Sequence, residues 1–165
     1  MIKFLIMDVD GTLTDGKIYM GENGELFKVF DIKDGCGIKD ILPSYGIIPV
    51  IITARESKML KMRCEELSIN NLYQGIRNKL EKLESIICDY NKENDTFYGL
   101  KDCAYIGDDI LDLQCMEPIK ESGGIVGCPK NAVKKVISLA DYVTEHNGGD
   151  GAVREIIEWL VEMKD

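Results

Sequence analysis

Asp8 and Asp10 stand two positions apart where the apolar run Phe4–Met7 ends, in the string Asp8-Val-Asp10-Gly11-Thr12. Side chains on a strand alternate faces, so acids at i and i+2 point the same way and converge as the chain leaves the strand. Paired carboxylates can divide labour. Like charges at close range raise one pKa, so one carboxyl keeps its proton and serves as an acid while the other attacks or binds a cation. Two other uses of acids and glycines fail on spacing. Counted from Asp8, positions five, six and twelve of a calcium loop fall on Thr12, Leu13 and Tyr19, not on Asp/Asn, Gly and Glu. No Gly-x-x-x-x-Gly-Lys-Ser/Thr string is present to form a phosphate loop.

Three further groups follow in order, each after an apolar strand-like run. Thr53 follows Val50-Ile51-Ile52, Lys79 opens a helix after Tyr73-Gln-Gly-Ile-Arg-Asn, and Asp108, Asp109 and Asp112 follow Ala104-Tyr-Ile-Gly107. Singly, a strand-end Thr is most simply a cap and a helix-start Lys a solvated charge. In this order, a hydroxyl, an ammonium and an acid cluster are expected to converge with Asp8 and Asp10. His146 is the only histidine, so carboxylates or lysine must do the proton work of an enzyme built on this chain.

The elements that position these groups are legible from the same runs. Phe4–Met7, 49–52, 103–106, 124–126 and 142–144 read as strands. Between them apolar residues recur at helical spacing, as in Leu80, Leu83, Ile86, Ile87, Tyr90 and in Val153, Ile156, Ile157, Leu160, Val161. Ser57 is the expected cap of the helix after Thr53, and Asp150 of the last helix. Buried strands alternating with helices predict an α/β, Rossmann-like doubly wound parallel sheet, whose sites lie at the carboxyl ends of its strands. Residues 17–31 break the rhythm. Lys17–Met20 and Leu26–Asp31 flank Gly21-Glu-Asn-Gly24-Glu, which predicts an inserted β-hairpin.

Length and composition bound the rest. The 165 residues fit one domain over 1–165. With 20 Lys+Arg against 29 Asp+Glu the net charge is −9, which disfavours nucleic-acid binding. No apolar run reaches the ~18 residues of a membrane span. The amino-terminal stretch reads as a first strand rather than a secretory leader, and the expected compartment is the cytoplasm. The six cysteines are never closer than 12 positions, so metal or redox spacing is absent and reduced, mostly buried thiols are expected.

Asp8-Val-Asp10-Gly-Thr, Thr53, Lys79 and Gly107-Asp108-Asp109-x-x-Asp112 together resemble the four motifs of the haloacid dehalogenase-like phosphohydrolases. The resemblance is closer to the capless subgroup of 3-deoxy-D-manno-octulosonate 8-phosphate and sialic-acid-type phosphatases. It is carried by Asp15-Gly-Lys-Ile-Tyr, Phe27-Lys-Val-Phe-Asp-Ile-Lys-Asp34-Gly, Thr53-Ala-Arg-Glu-Ser, Gln74-Gly-Ile-x-x-Lys79 and Gly148-Gly-x-Gly-Ala-Val-Arg-Glu155. It implies a Mg²⁺-dependent phosphatase of an acidic 3-deoxy sugar phosphate, with eight or nine carbons, acting through an aspartyl phosphate. Asp8 is then the nucleophile and Asp10 the acid and base. Thr53 and Lys79 hold phosphoryl oxygens, and Asp8, Asp108 and the backbone carbonyl of Asp10 are the metal ligands. Asp109 and Asp112 stand behind them, orienting. Lys33, Asp34, Gly35, Arg55 and Arg63 join Asp10 and Lys79 in binding substrate.

The 45 positions between Asp8 and Thr53 and the 26 between Thr53 and Lys79 leave no room for a cap domain of ~50 residues. The resemblance implies a homotetramer in which a neighbour closes the site. Ala54 and Asp150 depart from the Gly and the basic residue usual in the subgroup. Phosphatases of other small esters, and an idle oligomerisation module related to sugar-nucleotide synthetase tails, are the alternatives; the complete acidic and lysine set speaks against idleness.

Overall fold

The computed structural model describes residues 1–163. Its first strand, β1 (Phe4–Met7), is buried on both faces, as a central parallel strand must be. Leu5 and Met7 face one apolar layer with Ile38, Leu60 and Ile157, while Phe4 and Ile6 face the other with Leu83, Met116 and Val136. At ~1.5–3 kcal/mol per buried large apolar side chain, these four residues anchor the strand end that carries the acids.

A hairpin follows, β2 (Tyr19–Gly21) and β3 (Gly24–Phe27), paired to each other alone. It is shorter than the expected 17–31. The ladder slips between Tyr19 and Met20, and the Tyr19 and Phe27 rings stack 4.6 Å apart to close it. Gly24, at φ 114°, supplies the left-handed step of the turn. Next comes one helical stretch: α1 (Ile32–Cys36), a π-wound segment Gly37–Ile41, and α2 (Leu42–Ser44). The rest alternates: β4 (Ile48–Ile52), α3 (Lys58–Glu66), β5 (Asn71–Tyr73), α4 (Lys79–Asn94), β6 (Cys103–Ile106), α5 (Leu113–Glu121), β7 (Ile125–Cys128), α6 (Lys134–Leu139), β8 (Tyr142–Val143) and α7 (Ala152–Glu162).

The sheet order is β5-β4-β1-β6-β7-β8, and every neighbouring pair is parallel. The chain builds outward from β1 on one side through β4 and β5, then returns to build the other side from β6. The order therefore reverses at β1, and a crevice opens at the carboxyl ends of β1, β4 and β6. This is the expected α/β doubly wound sheet with a hairpin and no cap domain among the described residues. No described helix is long and apolar enough to cross a membrane.

Ser57 caps α3 as expected, accepting from the Leu60 amide. The expected cap of α7 by Asp150 is not formed: the cap position is Gly151, at φ 95°, without a side-chain bond. Asp34 serves that helix end instead, its Oδ1 accepting from the Arg154 amide at 2.8 Å. A carboxylate 120 residues away displaces the local one because the 31–36 segment packs on the start of α7.

Candidate active site

β1 delivers Asp8, β4 delivers Thr53, and β6 delivers Asp108, while Lys79 reaches in from the first residue of α4. Asn78 caps α4 by accepting from the Glu81 amide, and Gln114 accepts from the Lys79 amide at 3.1 Å. Both bonds fix where the lysine starts.

Lys79 is buried, with its Nζ 2.6 Å from Asp8 Oδ1, 2.7 Å from Asp112 Oδ1 and 3.4 Å from the Tyr105 hydroxyl. Burial alone would lower its pKa, but Asp8 and Asp112 outweigh that and hold it above the ordinary value, so it stays charged. Asp112 is saturated. Its Oδ1 takes Lys79 and the Tyr105 hydroxyl, and its Oδ2 takes the amides of Asp108 at 2.9 Å and Asp109 at 3.1 Å. It orients the ammonium and the loop that carries Asp108.

Asp8 has an oxygen beyond the one paired with Lys79, and Asp108 meets a hydroxyl but no cation among the described residues. Burial, then Asp112, pushes Asp8 up to about 7 against the pull of Lys79. Burial, then Asp8 and Asp112, pushes Asp108 up to about 8, against one hydroxyl bond from Thr12 at 3.2 Å. Carboxylate oxygens of Asp8, Asp108 and Asp112 lie within 4.8 Å of one another. Since Asp112 is used up by donors, Asp8 and Asp108 are the two with oxygens to spare. An all-oxygen set with excess negative charge suits a hard divalent cation such as Mg²⁺.

Thr53 is buried, its backbone bonded to Tyr73 and Ile76, and its hydroxyl has no partner among the described residues. Asp109 is exposed and caps the short turn 110–112 by accepting from the Ile110 amide at 2.7 Å. Asp10 turns toward the hairpin. Its Oδ1 accepts from Lys28 at 2.6 Å and from Arg55 at 3.4 Å. Lys33 is exposed near Gly151 and His146. Gly35 lies where a Cβ would meet the Arg63 guanidinium at 2.3 Å. Arg63 braces this segment, bonded to Glu66 at 2.8 Å and the Asp31 carbonyl at 3.4 Å, with its guanidinium over the Phe30 ring. The structure thus gathers Asp8, Asp108, Asp112 and Lys79 at one point, ties Asp10 and Arg55 to the hairpin, and sets Asp34, Gly35 and Arg63 in the packing of the 31–36 segment. Sequence reasoning missed Glu25, Lys28, Tyr105 and Thr12. For Lys28 a signal existed: one cation inside the apolar run Leu26–Phe30 needs a charged partner if it faces inward.

No family model matches the chain. Over 160 residues, covering 97% of this chain and 79% of the relative, it is 41% identical to the 3-deoxy-D-manno-octulosonate 8-phosphate phosphatase of Escherichia coli K12. The crystal structure of the phosphatase of that name from Yersinia pestis superposes with a TM-score of 0.87 at 36% identity, covering 99% of this chain and 83% of that one. The Moraxella catarrhalis phosphatase, in complex with magnesium ion, phosphate ion and the octulosonate sugar, gives a TM-score of 0.83 at 37% identity, covering 98% and 86%.

Proposed function

The chain belongs to the 3-deoxy-D-manno-octulosonate 8-phosphate phosphatases of the haloacid dehalogenase-like superfamily, and on that footing we propose that it hydrolyses this sugar phosphate with Mg²⁺ through an aspartyl phosphate on Asp8. The observation that carries the reading is the buried Lys79 bridging Asp8 and Asp112 while Asp8 and Asp108 keep spare oxygens. Held by Asp8, Asp108 and the Asp10 backbone carbonyl, Mg²⁺ neutralises acid charge and polarises the phosphoryl group.

The chain's own residues do the remainder. Lys79 and Thr53 hold phosphoryl oxygens. An Asp8 oxygen forms a bond to phosphorus as the bond to the sugar oxygen breaks, and Asp10 gives that oxygen its proton. Asp10, now a carboxylate, takes a proton from water as the water oxygen bonds to phosphorus and the Asp8–phosphorus bond breaks, releasing phosphate. Asp109 and Asp112 keep the Asp108 loop in place. Lys33 and Arg55 offer cations to the substrate carboxylate, and Asp34, Gly35 and Arg63 shape the segment that presents them. The chain works as a cytoplasmic homotetramer of single domains. Ile18, Met20, Leu26, Phe27, Val29 and Ile32 are exposed on and beside the hairpin, a surface for a neighbour that would close an uncapped site.

A panel of phosphate esters tests this: the eight-carbon 8-phosphate, a nine-carbon sialic-acid-type 9-phosphate and simple hexose phosphates, each with Mg²⁺ and with excess chelator. The eight-carbon ester should show the highest kcat/KM, and chelator should remove turnover. A tenfold preference for any other ester overturns the substrate, and full activity in chelator overturns the metal.

A further inference from the structure

The hairpin is inside out. On β3 and its exit, Phe27 and Val29 are each 47% exposed, while between them the Lys28 side chain is 3% exposed. A half-buried strand ordinarily turns its apolar residues in and its charges out. Here the inward charges meet the active site. Lys28 Nζ lies 2.6 Å from Asp10 Oδ1 and 3.0 Å from Glu25 Oε1. Arg55 closes the ring from β4's exit, with Nη1 3.4 Å from the same Asp10 Oδ1 and Nη2 3.2 Å from Glu25 Oε2. Two acids and two cations alternate, each cation shared by both acids, and Glu25 gives one oxygen to each cation. A cation as buried as Lys28 is tolerated only with such partners.

Both cations hold Asp10 by one oxygen. Oδ1 is the tied atom, which leaves Oδ2 as the oxygen to carry a proton. The carboxyl is thereby fixed in rotation, and Glu25 fixes the two groups that fix it. We infer that Glu25 and Lys28 are positioning residues for proton transfer by Asp10, making the hairpin of each chain a part of its own active site. The inference rests on the reading of Asp10 as the acid that protonates the leaving sugar oxygen. It gives the hairpin two faces: Glu25 and Lys28 inward on the acid, Phe27 and Val29 outward on the face offered to a neighbour.

Leaving-group dependence tests it. A sugar alkoxide departs only with a proton, whereas p-nitrophenolate departs without one, so a misplaced acid harms alkyl esters selectively. Glu25→Gln and Lys28→Met are compared with wild type on 3-deoxy-D-manno-octulosonate 8-phosphate and on p-nitrophenyl phosphate. Folding is checked by circular dichroism and thermal unfolding. On the sugar ester kcat should fall ~30- to 100-fold, the scale of an acid displaced by about an ångström, with KM within about threefold. The loss on the aryl ester should be at least tenfold smaller, and Lys28→Arg should recover part of the sugar-ester rate. Unchanged kcat on the sugar ester, or equal losses on both esters, overturns the inference. Should both truncations unfold, the same ratio read on Lys28→Arg decides. A wild type that spares this sugar ester but cleaves another alkyl phosphate overturns the substrate, and the ratio is then measured on that ester. A wild type inactive on all phosphate esters overturns both readings.

Discussion

Gly148 packs against Gly11 so closely that a Cβ at 148 would lie 1.9 Å from the Gly11 carbonyl oxygen. The next amide, Gly149, donates to the Thr12 carbonyl at 3.0 Å, and Gly148 itself donates to Asn131 at 3.0 Å. The loop before α7 thus holds the turn that follows Asp8 and Asp10. Gly11, at φ 97°, is wedged in turn against the Asp108 carboxylate. At Gly148 backbone presses on backbone, so no side chain can give way there. Gly148→Ala is expected to cost ~1–3 kcal/mol through overpacking and to lower kcat by displacing the acids. Urea unfolding and steady-state kinetics check it. A variant with wild-type kcat would show that this loop does not set the catalytic geometry.

Asp8→Asn should abolish turnover and spare the fold. The carboxamide fills the same space and still offers an oxygen to Lys79, but it is a poor nucleophile, so kcat should drop at least ~10³-fold. Stability should hold or rise. Burial and Asp112 push the Asp8 carboxyl up to about 7, so charge there opposes folding and a neutral group relieves it. The paired measurement is phosphate release and thermal unfolding. Ordinary turnover, once wild-type contamination and deamidation are excluded, would remove Asp8 from the nucleophile's place.

Residues placed by the sheet were legible in advance, and residues placed by folding back were not. Asp8, Thr53 and Asp108 each follow an apolar run, and a parallel sheet brings strand ends to one edge whatever lies between. Lys79 was readable as the first residue of a periodic helix. Glu25 and Lys28 are different: Lys28 meets Asp10 across 18 positions and Glu25 meets Arg55 across 30, through a hairpin whose lie on the sheet no periodicity encodes. Its bounds were overestimated because the exposed apolar residues after Phe27 look like strand without pairing as one. Asp150 looked like a cap by local rules, and Asp34 took the place through tertiary packing.

Asp34 makes stability depend on pH. Burial, the largest influence, holds its carboxyl up to about 6, partly opposed by the Arg154 amide and reinforced by Asp31. Its Oδ2 is buried without a partner. An unfolded aspartate titrates near ~3.9, so between pH ~4 and 6 the folded chain keeps a proton that the unfolded chain has released. Stability from this group is therefore lost as pH rises through that window. Asp34→Asn keeps an acceptor for the Arg154 amide without the charge. In urea titrations from pH 4 to 6.5, wild type should lose stability relative to the variant, by a difference on the order of 1–3 kcal/mol. A gap that stays constant across the window contradicts this placement of the group.

The exposed face of the hairpin predicts assembly. Met20 is 65% and Leu26 62% exposed, on a two-stranded element paired only to itself. Such hairpins are marginal alone and need a surface to pack on, yet the inward side of this one is occupied by the charged ring of Asp10, Lys28, Glu25 and Arg55. Apolar packing must then come from outside. The double variant Met20→Lys and Leu26→Lys touches neither the ring nor the acids, and in an assembly it places four cations wherever two hairpins meet. Light scattering should show wild type as a homotetramer and the variant as smaller species. Without a neighbour to enclose the substrate, kcat/KM on the sugar phosphate should fall by about tenfold or more, chiefly through KM, because enclosure orients a small ligand in an open crevice. The smaller p-nitrophenyl phosphate should lose less. A wild type that scatters as a fully active monomer would show that the apolar face has another use and that the crevice works unaided.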